Sequence, residues 1–308
     1  MSRTKNERGQ VIVLTVIAMT LLLGMTALVL DVGAWFHSKR QLQATADAAA
    51  LAGAQMLPDS PGSAQSTALN YANQNGGGVA GADITITGTN SSSDTIEVKG
   101  QKNEPGFFSK ILGVDVVDVR ASAKAIVGVP YKARFVAPMV VKCSHPLIDN
   151  CDGENTPIYN QETTLDFNKF GAPGAFGMLD LANDGGNTGS STLADWIEHG
   201  YNDYLPLGKY DSDPGVKFNS GGIDTALADR IGDVLLFPVY DTLTAQGSNA
   251  QYNIIGWIGF HLDAIVGISG NNASLRGYFT EYIAQGILPN SGGSGSTNFG
   301  VKSIQLIG

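Results

Sequence analysis

Cys143 and Cys151 stand eight positions apart in CSHPLIDNC, with His145 between them. Two chemistries fit that spacing. Outside the cytoplasm an even cysteine count favours one small-loop disulfide. A metal site from Cys143, His145 and Cys151 would need a fourth ligand and departs from the usual zinc-knuckle spacing. The other histidines, His37, His199 and His261, are widely scattered, and none stands in H-E-x-x-H. There is no G-x-S-x-G elbow, and the glycine-rich stretches lack the P-loop Lys-Ser/Thr. The run from Asp180 to Gly185 resembles a calcium loop faintly, but its third position is Ala182 and its twelfth Ser191, so the EF-hand pattern fails. The acidic loops 149–154 and 211–213 suit either irregular calcium sites or Asx turns with carboxylates in solvent. The residues therefore predict a chain that is not an enzyme, with no catalytic, cofactor-binding or metal-binding residue.

The element that must position everything else is at the start. Residues 9–30 carry no charge and are mostly Val, Ile, Leu, Met and Ala. A membrane-spanning helix needs roughly 20 such residues at about 1.5 Å of rise each. Asp31 follows at once, and then a run rich in Ala, Gln and Leu predicts that the helix continues past the membrane to residue 57. The apolar core is too long for a cleavable secretory signal, which favours an uncleaved anchor. Arg3, Lys5 and Arg8 precede the span, so the positive-inside rule puts the N-terminus in the cytoplasm and the bulk of the chain outside, in the periplasm or at the cell surface. Trp35 is placed for the outer interface.

The 308 residues are 43% hydrophobic, enough for a buried core and more than one domain. Charged residues make only 15%, and 39 glycines fill the loops, which suits a β-rich extracytoplasmic body. The net charge of −9 and the lack of a basic run after Arg40 exclude a phosphate-binding footprint, so no nucleic-acid partner is expected.

Leu42, Ala46, Ala49 and Gly53 recur at three- and four-residue steps and give the helix a small-residue face fit for close packing. Pro58 ends it, and a second helix is predicted over 63–74. The alternating segments 82–87 and 94–99 read as an antiparallel hairpin. Residues 105–112 read as a short helix packing Phe107, Phe108, Ile111 and Leu112 on that hairpin, and 114–127 as a third strand. From Arg134 onward, strands are predicted at 134–143, 174–181, 233–241, 252–269, 276–284 and the C-terminus. Short helices are predicted at 192–199, with Thr192 as N-cap and Gly200 at the end, and at 221–230. Residues 181–191 and 291–297 read as flexible loops. Such a strand-rich body suggests a barrel or sandwich.

The Arg8-Gly9-Gln10 junction, the uncharged span, Asp31-Val32-Gly33 and the run LQATADAAALA from Leu42 to Ala52, with Gln43, Asp47 and Leu51 inside it, resemble the N-terminal region of TadE/TadG-like Flp pilus-assembly proteins. The likeness covers about residues 8–128. The order of elements predicts an α+β chain: a long transmembrane helix extending into a small α+β unit, pilin-like by the resemblance, then a β-rich C-terminal ectodomain. The expected divisions are residues 1–8 in the cytoplasm, 9–30 in the membrane, 31–128 as the Tad-like unit and 129–308 as the ectodomain.

The same resemblance implies a single-pass structural component of a Tad/Flp-type pilus or secretion apparatus: a minor pilin or pseudopilin, or a tip or assembly protein. Its partners would be the lipid bilayer, other Tad subunits and a surface ligand of the C-terminal domain. Gly9 and Gln10 form a candidate processing junction, although the fifth residue after Gly9 is Leu14 where type IV-like pilins carry Glu. No von Willebrand-type D-x-S-x-S motif occurs in the ectodomain. Asp47, on an alanine-rich face, suits either a basic group on a partner subunit or a solvated position. The competing readings are a membrane-tethered cell-envelope hydrolase, for which Asp195, Glu198, His199 and His261 would have to converge, and a surface adhesin.

Overall fold

The computed structural model describes residues 8–167, 177–183, 188–213, 218–220, 222–244, 249–270, 272–289 and 297–307. The chain is α+β, a long apolar N-terminal helix followed by a small mixed unit and a β-rich C-terminal region. It divides into two compact units, Met1–Ile126 with Leu306–Gly308, and Val127–Gln305.

In the first unit, helix α1 (Arg8–Ala54) changes character at Asp31. Residues 11–30 are exposed apart from the half-buried Ala27, and Thr15, Thr20 and Thr26 donate their hydroxyls to the carbonyls of Val11, Val16 and Leu22 at 2.8 Å. Each hydroxyl is thus satisfied within the helix, as a lipid setting demands. Beyond Asp31 the helix buries small residues: Ala46, Ala49, Ala50 and Ala54 are fully covered. They face α2 (Pro61–Gln74), whose Ala64, Ala68 and Ala72 are equally buried, and strand β2 (Thr95–Pro105), which lies between β1 (Ile84–Thr87) and β3 (Val116–Gly128). β1 pairs with β2, and β2 with β3, all antiparallel.

Close approach explains the glycine in the signature helix. A Cβ on Gly53 would lie 2.6 Å from Ile96 Cδ1, 2.9 Å from the Ala64 carbonyl and 3.0 Å from Ala68 Cβ. Leu42, almost wholly buried, fills the space a side chain on Gly100 would need, 2.8 Å from its Cδ1. Thr45 Oγ1 ties the end of α2 down through the Asn75 carbonyl at 2.6 Å.

The segment after β2 corrects the expected helix over 105–112. Pro105 ends β2, and only a 3-10 turn forms, at Ser109–Leu112. Phe107 and Ile111 are 73% and 86% exposed and Phe108 43%, so they do not pack on the hairpin. The side chain of Leu112 lies outside the described residues. The cause is Asp31, whose carboxylate captures the Phe107, Phe108 and Ser109 amides and turns the segment outward.

The second unit holds the short strands β4 (Lys132–Ala133) and β5 (Val141–Lys142), then β6 (Glu162–Phe167), helix α3 (Ser190–His199), β7 (Leu205–Pro206), β8 (Gly208–Asp211) and helix α4 (Ile223–Asp229). Then come β9 (Val234–Thr244), β10 (Gln251–Ser269), β11 (Asn272–Thr280), β12 (Tyr282–Ile283), β13 (Gly286–Ile287) and β14 (Val301–Leu306). The main sheet runs β5-β9-β10-β11-β6, with β8 also pairing β10, and β13-β4-β7 form a small sheet. The main sheet curls round on itself. Its two edges, β5 and β6, line the same cavity of about 200 Å3, with Val141, Lys142, Leu165 and Phe167 in its wall. The core beneath is aromatic: Phe237 stacks on Phe260 at 5.5 Å, and Phe260 meets Phe279 edge-on at 5.5 Å. Trp257, buried, donates Nε1–H to the Pro130 carbonyl at 3.2 Å.

Other expectations shift here as well. The strand expected over 134–143 is reduced to β5 and isolated bridges at Val136 and Met139. Phe135 adopts a φ of 60° and Pro138 has no N–H, so neither continues a ladder. In 174–181 only Met178 and Leu179 make bridges, and 174–176 lie outside the described residues. α3 begins two residues earlier than expected, with Gly189 as N-cap in place of Thr192, and it ends at Gly200. β11 also starts before the expected 276 and stops at Thr280. In the expected loop 181–191, residues 190–191 already belong to α3 and 184–187 lie outside the described residues, as do 291–296 of the loop 291–297.

Candidate functional site

In the signature run, Asp31 has the most constrained position. Only 1% of it is exposed, although it stands one residue after an apolar run that is almost wholly exposed. Its Oδ1 accepts the Phe107 N–H at 3.1 Å, and its Oδ2 accepts those of Phe108 and Ser109 at 2.9 and 2.6 Å. A carboxylate cupped by consecutive amides is the reverse of a helix cap: the helix supplies the anion and the loop supplies the nest. Burial pushes the carboxyl pKa up, but the Ser109, Phe108 and Phe107 amides outweigh it, and Asp31 is held below the ordinary carboxylate range.

One turn and more along α1, Ser38 donates to Glu104 Oε1 at 2.7 Å. Trp35 is half-buried and lines a groove with Val32, Phe36, Val117 and Val119. Gln43 Nε2 donates both to Asp47 Oδ1, at 2.8 Å, and to the Ser122 carbonyl on β3, at 2.9 Å. Asp47 is thus a half-buried member of a helix-to-strand clamp rather than a free carboxylate. Leu42 is a core residue, Leu51 is half-buried, and Gly33 is exposed, with open space where a Cβ would stand. Gly9 and Gln10 lie in the first turn of α1, and their side chains fall outside the described residues. Sequence reasoning found this helix but not what Asp31 does. It also missed Asp94, whose buried carboxylate accepts the amides of Thr89, Asn90 and Ser91 at 2.6–2.7 Å and closes the β1–β2 loop.

In the second unit Cys143 and Cys151 are joined as a disulfide. His145 sits edge-on to Phe279 at 5.2 Å, and its Nδ1 accepts the Leu147 N–H at 3.2 Å. Burial holds its pKa below the usual imidazole value. Among the described residues no group of three or more His, Cys, Asp or Glu side chains is arranged to hold a metal ion. Asp149 and Asp152 serve the turn through the Asn155 and Glu154 bonds.

Of the four residues whose convergence would signal a hydrolase, α3 carries three. His199 Nδ1 lies 3.2 Å from Asp195 Oδ1, and its Nε2 3.7 Å from Glu198, with all three side chains well exposed. His261, on β10, stacks on Tyr278 at 4.7 Å and meets Asp263 at 3.0 Å. Among the described residues no hydrogen bond, ion pair or ring contact joins His261 to the other three, and no Ser, Thr or Cys side chain bonds either imidazole.

What the arrangement can do is mechanical: a lipid-ready helix half, locked at Asp31 to a packed half. No curated protein and no solved structure matches the chain. Residues 9–56, which hold both halves of that helix, match the family model described as Putative Flp pilus-assembly TadE/G-like, and this places the likeness to that family in the N-terminal region of the chain.

Proposed function

We propose that this chain is a membrane-anchored structural component of a Tad/Flp-type pilus or secretion apparatus, acting as a minor pilin or pseudopilin or as a tip or assembly protein. The family match over residues 9–56 supports a pilus-assembly component, and that family is structural rather than enzymatic. The observation that carries the finer reading is the change from exposed apolar to packed surface along α1 at Asp31. One side is an apolar helix long enough to cross a bilayer, and the other is the packed strut of a small α+β head. Arg3, Lys5 and Arg8 before the span set the head and the β-rich second unit outside the cytoplasm. The second unit then faces other Tad subunits or a surface ligand. Deleting the gene and counting surface filaments tests the reading. Fewer or shorter filaments, restored by the full chain, are expected; unchanged filament number and unchanged secretion would overturn it.

A further inference from the structure

We propose that the segment 106–116 is a membrane-seating loop, whose Phe107, Phe108 and Ile111 enter the headgroup–acyl boundary of the bilayer crossed by residues 11–30. The three side chains are 73%, 43% and 86% exposed, and Val114 and Val116 beside them are 42% and 55% exposed. Val32 and Phe36, in the helix turns after Asp31, add to the same apolar collar of the first unit. A patch of this kind marks an interaction surface.

Its depth identifies the occupant. The loop is tied by three backbone amides to the Asp31 carboxylate, and Asp31 directly follows Leu30. Twenty residues at about 1.5 Å each span roughly 30 Å, the thickness of a bilayer's hydrocarbon core. Asp31 therefore falls at the edge of that core, and a loop bonded to it lies within the next roughly 5–10 Å, where amphipathic segments bury their apolar faces. Its backbone is also fit for that layer. Gly106 N–H bonds the Asp115 carbonyl, Gly113 N–H that of Lys110, and Val114 N–H that of Ser109, while the Ser109 hydroxyl bonds the Val114 carbonyl. Lys110, exposed on the same turn, can reach lipid phosphate. The loop would give the head a second point of contact with the membrane, fixing its tilt.

The inference rests on the anchor reading of residues 11–30 and not on the pilus assignment. It is tested with the full chain in phosphatidylcholine–phosphatidylglycerol vesicles, carrying one NBD-labelled cysteine from Ile111→Cys, Leu22→Cys or Ser92→Cys, with and without spin-labelled lipid. Labels at positions 111 and 22 are expected to shift to the blue and lose emission to the spin-labelled lipid, and the label at 92, in the exposed β1–β2 loop, to do neither. A label at 111 that behaves like the one at 92 overturns the seating loop. So does a blue shift at 111 without lipid quenching, which would mean that protein, such as a second copy of the chain, covers it. Failure at both 22 and 111 sinks the anchor reading itself; quenching at 22 alone sinks only the loop.

Discussion

Gly53 and Asp94 show how single positions set the first unit. At Gly53 any side chain collides with Ile96 and with the α2 backbone at Ala64, which cannot yield as a side-chain tip can. Gly53→Leu is expected to cost about 1–3 kcal/mol through overpacking, read as a lower denaturant midpoint; an unchanged midpoint would mean that α1 and α2 are not packed so closely. At Asp94 burial raises the carboxyl pKa, but the Thr95 hydroxyl and the Thr89, Ser91 and Asn90 amides outweigh it, and the folded value lies below the ordinary 3.8. A depressed folded pKa contributes stability that is present above the unfolded value and lost as pH falls through the folded one. Asp94→Asn should therefore destabilise by about 1 kcal/mol at pH 7. The gap between variant and wild type should narrow as pH drops below about 4, measured by urea unfolding at both pH values. A gap independent of pH would show that the charge is not what closes the loop.

At the scale of elements, what could be read in advance was local, and what could not was relational. The apolar span, the 3.6-residue spacing of Leu42, Ala46, Ala49 and Gly53, and the alternation in β1 and β2 each declare themselves within a dozen residues. The loop after β2 did not. Phe107, Phe108 and Ile111 have the composition of a core-packing turn, and only a carboxylate some 76 positions away reverses their direction. The stretch 134–143 failed for a related reason: its apolar run reads as a strand, while the φ of Phe135 and the missing N–H of Pro138 interrupt it. In the candidate site the signature helix was legible as a pattern, but its division of labour was not. Asp47 reads as a free carboxylate until Gln43 is seen bridging it to the Ser122 carbonyl.

For the whole molecule, the two units rest on different physics. The first is held by close helix packing on a three-strand meander, the second by an aromatic core under a curled sheet with a disulfide near its edge. Closing a loop of eight residues restricts the unfolded chain by about 2.5 kcal/mol on the chain-entropy estimate. Reduction, or Cys143→Ser with Cys151→Ser, is expected to lower the unfolding free energy of the second unit by about that amount, read as a lower denaturant midpoint. Proteolytic protection of the α1–α2 core in the first should stay unchanged; equal loss in both would mean that the units unfold as one. The central claim, that the N-terminal region of residues 9–56 serves a Tad-type apparatus, is tested most directly in the native membrane. The tagged full chain would be cross-linked there, and its co-purifying proteins quantified by mass spectrometry against an unrelated single-pass protein. Enrichment of other Tad-apparatus subunits is the predicted result; their recovery at the level of the control would contradict the account.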